Sequence, residues 1–198
     1  MVIRDWSSDV CSSDLLAEAG RFFAALHIGL LHYKCCSTFD SAPGVGSLGA
    51  AARALRPHFP NPLLPVIGGQ PNLGRYCLFG TLFAAAGAGG TVHRIDRHPT
   101  MSVHPVTPMG EADLRRHLQA QGLERVALVD YRSHEGDGAG PALDAALASQ
   151  PDSVLFDVSR PSDLTAIGAL LRERKIGEHK SELQSRITNS FAVFCLKK

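Results

Sequence analysis

Lysine is almost missing from the middle of this 198-residue chain: between Leu16 and Glu173 the basic positions are Arg or His, and Lys34 stands alone. Acidic residues are missing from a second stretch, since no Asp or Glu occurs from Ser41 to Ile95. The glycine-rich segment Gly44–Gly49 (GVGSLG) lies in that span and so lacks the acidic partner, about twenty positions on, that a dinucleotide ribose requires. It reads as a tight turn. The formal net charge is only +1 and no basic cluster stands out, which excludes a general nucleic-acid binder. The five cysteines form no CxxC, and adjacent Cys35 and Cys36 on a strand point to opposite faces. Neither a disulfide framework nor a zinc site follows, and the compartment expected is reducing. No apolar run is long enough to span a bilayer, and the N-terminus lacks the basic and apolar regions of a signal peptide. A cytoplasmic protein without a membrane partner is expected.

The composition changes at both ends. Lys175, Lys180, Lys197 and Lys198 crowd the last segment, and the single tryptophan, Trp6, falls in the first. Asp5–Leu15 (DWSSDVCSSDL) repeats Ser-Ser-Asp with no hydrophobic period, and Ser181–Ser185 (SELQS) and Ala192–Lys198 (AVFCLKK) are equally abrupt. One oligonucleotide read from opposite strands can encode both DWSS and SELQ, so the two ends resemble translated sequencing adapter. Foreign segments are set aside in fold reasoning. The division is 1–15 adapter-like, 16–174 the domain itself and 175–198 adapter-like, with both ends expected to make few contacts with the core. What remains suffices for one core and is short for a two-domain enzyme.

Within that middle, two kinds of segment alternate. Gly29–Cys36, Leu64–Gly68, Gly90–Ile95, Arg125–Asp130 and Ser153–Val158 read as strands. Leu16–Leu26, Leu48–Leu55, Leu73–Ala86, Glu111–Gln121, Pro141–Ser149 and Pro161–Leu171 read as helices, the last with Pro161 at a favoured first position. Such alternation implies βαβ units, and the fold expected is α/β: a three-layer, mostly parallel, Rossmann-like sheet flanked by helices and incomplete at the N-terminus. Ligands in such folds bind beyond the carboxyl ends of the strands. The loops starting at Ser37, Gly68, Asp96 and Tyr131 all follow strands in this reading and share one rim.

Asp96–Met109 (DRHPTMSVHPVTPM) concentrates donors on a stiff backbone. Pro99, Pro105 and Pro108 fix φ and disfavour helix in the residue before each. Arg97, His98, Thr100, Ser102, His104 and Thr107 are therefore held with little ordering cost on binding. His98 and His104 match no helical ligand pair and have no Cys or carboxylate at a recognised partner spacing, so hydrogen-bonding or turn-supporting roles are expected and no metal site. Lys34, at a strand end beside Ser37–Ser41 (STFDS), suits a carboxylate or phosphate, or else snorkels from its strand. The hydroxyls of Ser37, Thr38 and Ser41 and the carboxylate of Asp40 suit a polyol, and the same residue types cap turns. Arg75 is expected at a helix start, where backbone N–H groups favour anions, with Phe79, Leu82 and Phe83 on the core face of that helix. Asp130 and Asp157 end strands, either as functional groups or as turn formers.

Three motifs in this order, KCCSTFDS at Lys34–Ser41, LGRYCLFGTLFAAAG at Leu73–Gly87 and DRHPTMSVHPVTPM at Asp96–Met109, resemble the N-terminal domain of the four-carbon acid sugar kinase family. The resemblance covers Leu16 to Glu173. Members of that family transfer the γ-phosphoryl group of ATP to a hydroxyl of a sugar acid such as a threonate, an erythronate or a 3-oxo-tetronate. The resemblance implies that this domain grips the acid through Lys34, Ser37, Thr38, Asp40, Arg75, Arg97, His98 and Thr100, with Arg97 clamping the carboxylate. Lys34, Thr38, Asp40, Arg97 and His98 would then line one depression. It also implies that ATP and Mg²⁺ serve the intact enzyme on a C-terminal nucleotide-binding domain, with no cofactor in this chain. The family's opening strand, with its Asp-Asp-x-Thr-Gly type motif, has no counterpart here, which leaves the catalytic residue unassigned and Asp40 as the fallback. Phosphoryl transfer depends on charge stabilisation around the phosphates, so the chain alone is expected to be inactive. Two other readings stand beside this one: a self-contained sugar-acid or anion-binding module, and a nonfunctional product of misassembled reads.

Overall fold

The computed structural model describes residues 9–27, 30–59, 61, 63–174 and 193–197. In chain order the first half comprises α1 (Asp9–Ala25), β1 (Leu30–Lys34), α2 (Leu48–Leu55), β2 (Pro65–Ile67), β3 (Arg75–Leu78), β4 (Thr81–Ala85) and β5 (Val92–Arg94). The second half comprises α3 (Leu114–Gln119), β6 (Val126–Val129), α4 (Ala139–Leu147), β7 (Ser153–Phe156), α5 (Pro161–Glu173) and β8 (Val193–Lys197). The main sheet has the order β1-β8-β2-β7-β6, in which β2, β7 and β6 are parallel and β8 runs against both of its neighbours. β1 therefore points the same way as β2, and the carboxyl ends of β1, β2, β7 and β6 share one rim.

Side-chain alternation divides the core into two. Leu155, Val66 and Leu64 pack with Leu48, Ala52 and Leu55 of α2 and Leu114 and Leu118 of α3. Val154, Phe156 and Ile67 pack with Leu143 of α4 and Leu164, Ile167 and Leu171 of α5. Every residue of β7 is buried, as a strand covered by helices on both faces must be. Each such side chain contributes roughly 1.5–3 kcal/mol by leaving water. The helices follow from spacing: buried Leu48, Ala51, Ala52 and Leu55 stand at i, i+3, i+4 and i+7, and Ser47 caps α2 by accepting from Ala50 N. In α5, Leu164, Ile167, Gly168 and Leu171 repeat that spacing behind Pro161. The three-layer α/β architecture is the one expected.

The segment Leu73–Ala86 is not a helix. β3 and β4 form an antiparallel hairpin closed by Phe79 and Gly80, with Leu78 opposite Thr81. Both turn residues have positive φ, 51° and 78°, as the tightest hairpin turns require. Phe79 adopts that conformation at a cost of about 1–2 kcal/mol for a residue with a Cβ. The compensation comes from Asp157, fully buried just beyond β7, whose carboxylate accepts from Phe79 N (2.5 Å), Gly80 N (2.9 Å) and Tyr131 N (3.3 Å). Leu82 is fully buried as expected, but Phe83 is half-buried and Phe79 is exposed, its ring edge-on to Tyr131 at 5.2 Å with the Arg132 guanidinium 5.1 Å from its centre. The strand read at Gly90–Ile95 is β5, which joins this separate three-stranded antiparallel sheet instead of the parallel one.

The expectation that the C-terminal segment makes few contacts fails for residues 193–197. β8 sits between β1 and β2, pairing from Leu30↔Lys197 to Lys34↔Val193 on one side and Val66↔Phe194 on the other. The physical reason is that a strand edge is satisfied by backbone N–H and C=O groups, which any β-competent segment supplies. Among the described residues β1 has no other strand partner. Deleting 193–197 should therefore release β1, and losing about five ladder bonds at roughly 1 kcal/mol each should lower the melting temperature by about 10–20 °C. Thermal unfolding of the shortened chain checks this; an unchanged midpoint would show that β8 carries no stability.

Candidate functional site

A cavity of about 730 Å³ opens at the carboxyl end of β1. It is lined by Tyr33, Lys34, Cys35, Cys36 and Asp40 from β1 and the loop after it, by Val45, Gly46 and Leu48 at the turn into α2, and by His104, Val106 and Thr107. Two of the sequence motifs thus meet across one space, although the second follows a strand of the small antiparallel sheet and not a parallel strand.

The loop 37–41 is held from below. Phe39 has φ 55° and a fully buried side chain, and Ser41 Oγ donates to Phe39 O at 2.8 Å. His117 Nε2 on α3 lies 2.9 Å from Ser41 Oγ and 3.0 Å from Phe39 O. Gln121, one turn further on, places its Nε2 2.9 Å from both Ser41 Oγ and His117 Nε2 and accepts from Leu48 N at 2.7 Å. A Cβ on Gly49 would stand 2.1 Å from Gln121 O, so only glycine permits this approach of α2 to the end of α3. The loop after β1 and the start of α2 are consequently joined in one hydrogen-bonded unit. Burial lowers the His117 pKa, so its ring is held neutral.

On the cavity wall, Thr38 Oγ1 donates to Asp40 Oδ1 at 2.5 Å, and Cys36 Sγ lies 3.0 Å from Thr38 Oγ1. Thr38 has one hydroxyl proton and gives it to Asp40, so the thiol is the donor in its own contact. Burial, then Asp40, raises the Cys36 pKa and keeps the thiol protonated. Burial is the first cause that raises the pKa of each of Cys35, Cys36 and Cys77.

Of the residues expected at the site, Lys34 and Asp40 line the cavity, and Thr38 acts on Asp40 from a buried position. Ser37 is buried and is not among the lining residues. Arg97 and Thr100 are exposed and His98 is buried, all outside the cavity. The single depression expected to join Arg97 and His98 to Lys34 does not form, because this part of the loop closes on itself: His98 Nδ1 accepts from Thr100 N and Met101 N, both 3.2 Å, and its Nε2 reaches Ala85 O at 3.3 Å. Arg75 lies on a strand, so it meets no helix N-terminus; its Nη1 donates to Leu73 O (2.7 Å) and Ala85 O (3.4 Å). The later half of the motif supplies His104 and Thr107 instead. The legible signal was the repeated His-Pro step at His98-Pro99 and His104-Pro105. His117 on α3 and Gln121 just beyond its end, spaced i and i+4, carried no signal beyond helix periodicity.

The glycine-rich turn leads into α2, where Ala50 N and Leu48 N are already taken by Ser47 Oγ and Gln121 Oε1. Among the described residues no group of three His, Cys, Asp or Glu side chains converges. Among them, too, no helix is long and apolar enough to cross a membrane.

The chain is an α/β domain with a cavity beyond the carboxyl end of a strand. Residues 8–183 match the model of the sugar-binding N-terminal domain family, and the chain belongs to that family. It is 43% identical over 168 residues to a 3-oxo-isoapionate kinase of Paraburkholderia graminis, covering 85% of this chain and 35% of that protein. It is 29% identical over 178 residues to a 3-oxo-tetronate kinase of Methylobacterium radiotolerans, covering 89% of this chain and 40% of that one. The chain thus spans little more than a third of the length of these relatives. A crystal structure of a Haemophilus influenzae protein of the DUF1537 family superposes with a TM-score of 0.62 at 28% identity, over 72% of this chain and 33% of that one.

The neutral His117 makes the site's support sensitive to acid. Its folded-state pKa is depressed, so the stability it contributes is complete above the ordinary histidine value of about 6.5 and is lost as pH falls from there toward the folded value. Melting temperature should drop across that window in the natural chain and less in His117→Gln; parallel pH profiles of the two would remove His117 as the cause.

Proposed function

We propose that this chain is the substrate-gripping domain of an ATP-dependent kinase that phosphorylates a hydroxyl of a four-carbon sugar acid of the threonate, erythronate or 3-oxo-tetronate class. The observation that carries the reading is the cavity beyond β1, where Lys34 at the end of that strand, Asp40 in the loop after it and His104 from the Asp96–Met109 loop line one space. A sugar acid matches that set: its carboxylate pairs with the Lys34 ammonium, its hydroxyls donate to Asp40, and its carbon chain lies against Val45, Leu48 and Val106. Family membership and the kinase names of the relatives support the reaction class.

On this reading ATP and Mg²⁺ are held by a nucleotide-binding domain in the part of the longer proteins that lies beyond this chain, and the catalytic base belongs to the family's opening motif, which has no counterpart in this sequence, with Asp40 the fallback within the cavity. The protein works in the cytoplasm, without nucleic acid as a partner. Residues 16–174 are the domain's own sequence in this proposal, with 1–15 and 175–198 derived from adapter; resequencing the source locus across both junctions tests that division.

Calorimetric titration of the chain with D-threonate and D-erythronate should give saturable single-site binding to at least one of them. Lys34→Ala should weaken it by roughly 1.5–3 kcal/mol, the worth of a hydrogen bond to a charged group. Arg97→Ala should change it little. Absence of binding by the natural chain would remove the sugar-acid reading, and phosphoryl transfer from ATP by this chain alone would overturn its division into two parts.

A further inference from the structure

The two histidines of Asp96–Met109 are built alike and used differently. Each precedes a proline and folds its ring back so that Nδ1 accepts the backbone N–H three residues on: His98 from Met101 N at 3.2 Å, His104 from Thr107 N at 3.1 Å. A ring nitrogen that accepts a backbone N–H carries no proton, so in both neutral rings the proton stands on Nε2. The Thr107 hydroxyl, 3.0 Å from His104 Nδ1, must donate there too. His98 then directs its Nε2–H to Ala85 O, inside the protein. His104 has no such acceptor among the described residues, and it lines the cavity.

We propose that His104 is a specificity-determining residue, a fixed neutral donor that presents Nε2–H to an acceptor oxygen of the ligand, a carboxylate or an oxo group, with Thr107 as its positioning residue. The proposal rests on the sugar-acid reading of the cavity. It gains its sense from the loop after β1, where the thiol of Cys36 donates to Thr38 and Thr38 donates to Asp40, so that hydrogen-bond donation ends on a carboxylate. Asp40 therefore accepts from the ligand's hydroxyls, while Lys34 and His104 donate to its acid or oxo oxygens. A molecule with an acid or oxo group at one end and hydroxyls at the other fits in a single orientation; a simple polyol gains nothing from His104 that a water molecule would not supply.

The test uses the natural chain and D-threonate. Nitrogen-15 spectra of the histidine rings should give a protonated Nε2 and an unprotonated Nδ1 for His104, with the Nε2 signal moving when threonate is added. His104→Phe keeps an aromatic ring and removes the donor, and should weaken threonate binding about tenfold or more. His104→Gln, whose amide places an N–H near the Nε2 position, should recover most of that loss, which a merely structural role for the ring would not predict. Thr107→Val should disturb the Nδ1 signal and weaken binding less than His104→Phe does. A ring protonated on Nδ1, or threonate binding unchanged in His104→Phe, would overturn the proposal. If His104→Phe does not fold, the ring spectra and His104→Gln decide the matter alone: tight binding with a shifted Nε2 signal supports it, and an Nε2 signal indifferent to threonate overturns it. Failure of the natural chain to bind any sugar acid would instead strike the underlying reading and leave the ring assignment standing.

Discussion

A buried carboxylate holds this domain's two sheets together. Asp157 stands beyond the carboxyl end of β7 with no exposure, and its oxygens collect the backbone N–H groups of Phe79, Gly80 and Tyr131. Burial raises its pKa, and those N–H bonds pull the other way. Without them a carboxylate at that depth would be expelled or neutralised. With them it fixes the tip of the β3–β4 hairpin to the rim of the parallel sheet, and it does so at a turn whose geometry opposes its residue. The small sheet is consequently placed over the rim, and the long loop that leaves β5 begins from a set position.

That placement explains why the donor-rich loop divides into two. Its first half is spent on architecture: His98 caps the chain at Thr100 and Met101, and Ser102 Oγ donates to His98 O. Its second half reaches the loop after β1 and closes the cavity. The charged groups drawn into the cavity come from opposite sides of Phe39, with Lys34 before it and Asp40 after it, and the buried Phe39 ring is what makes the intervening loop return. Recognition therefore depends on packing that a reader of charges alone would pass over.

Much of the main sheet was legible because helix and strand periodicities differ and the helices carry clear start signals. The hairpin was not. Leu73–Ala86 lacks proline and is apolar nearly throughout, which fits a helix as well as two buried strands, and Phe-Gly is an unusual pair for a turn needing positive φ at both positions. Lys34 and Asp40 could be picked out because one was the solitary lysine of the domain and the other sat among hydroxyls. Arg97 and His98 drew attention for the same chemistry, yet whether a loop histidine faces a cavity or its own backbone is decided by tertiary contacts such as Ala85 O that no local pattern encodes. The role of residues 193–197 was equally hidden, since pairing between strands depends on backbone groups common to every sequence.

The pairing of β1 with β8 also ties the cavity to the less self-sufficient side of the main sheet. β2, β7 and β6 pair with one another directly, whereas among the described residues the strand that carries Lys34 joins them in the sheet only through β8. Opening of that ladder would free β1 while the parallel strands stay closed on their helices. The cavity's shape therefore belongs to a unit that can open separately from the core beneath it.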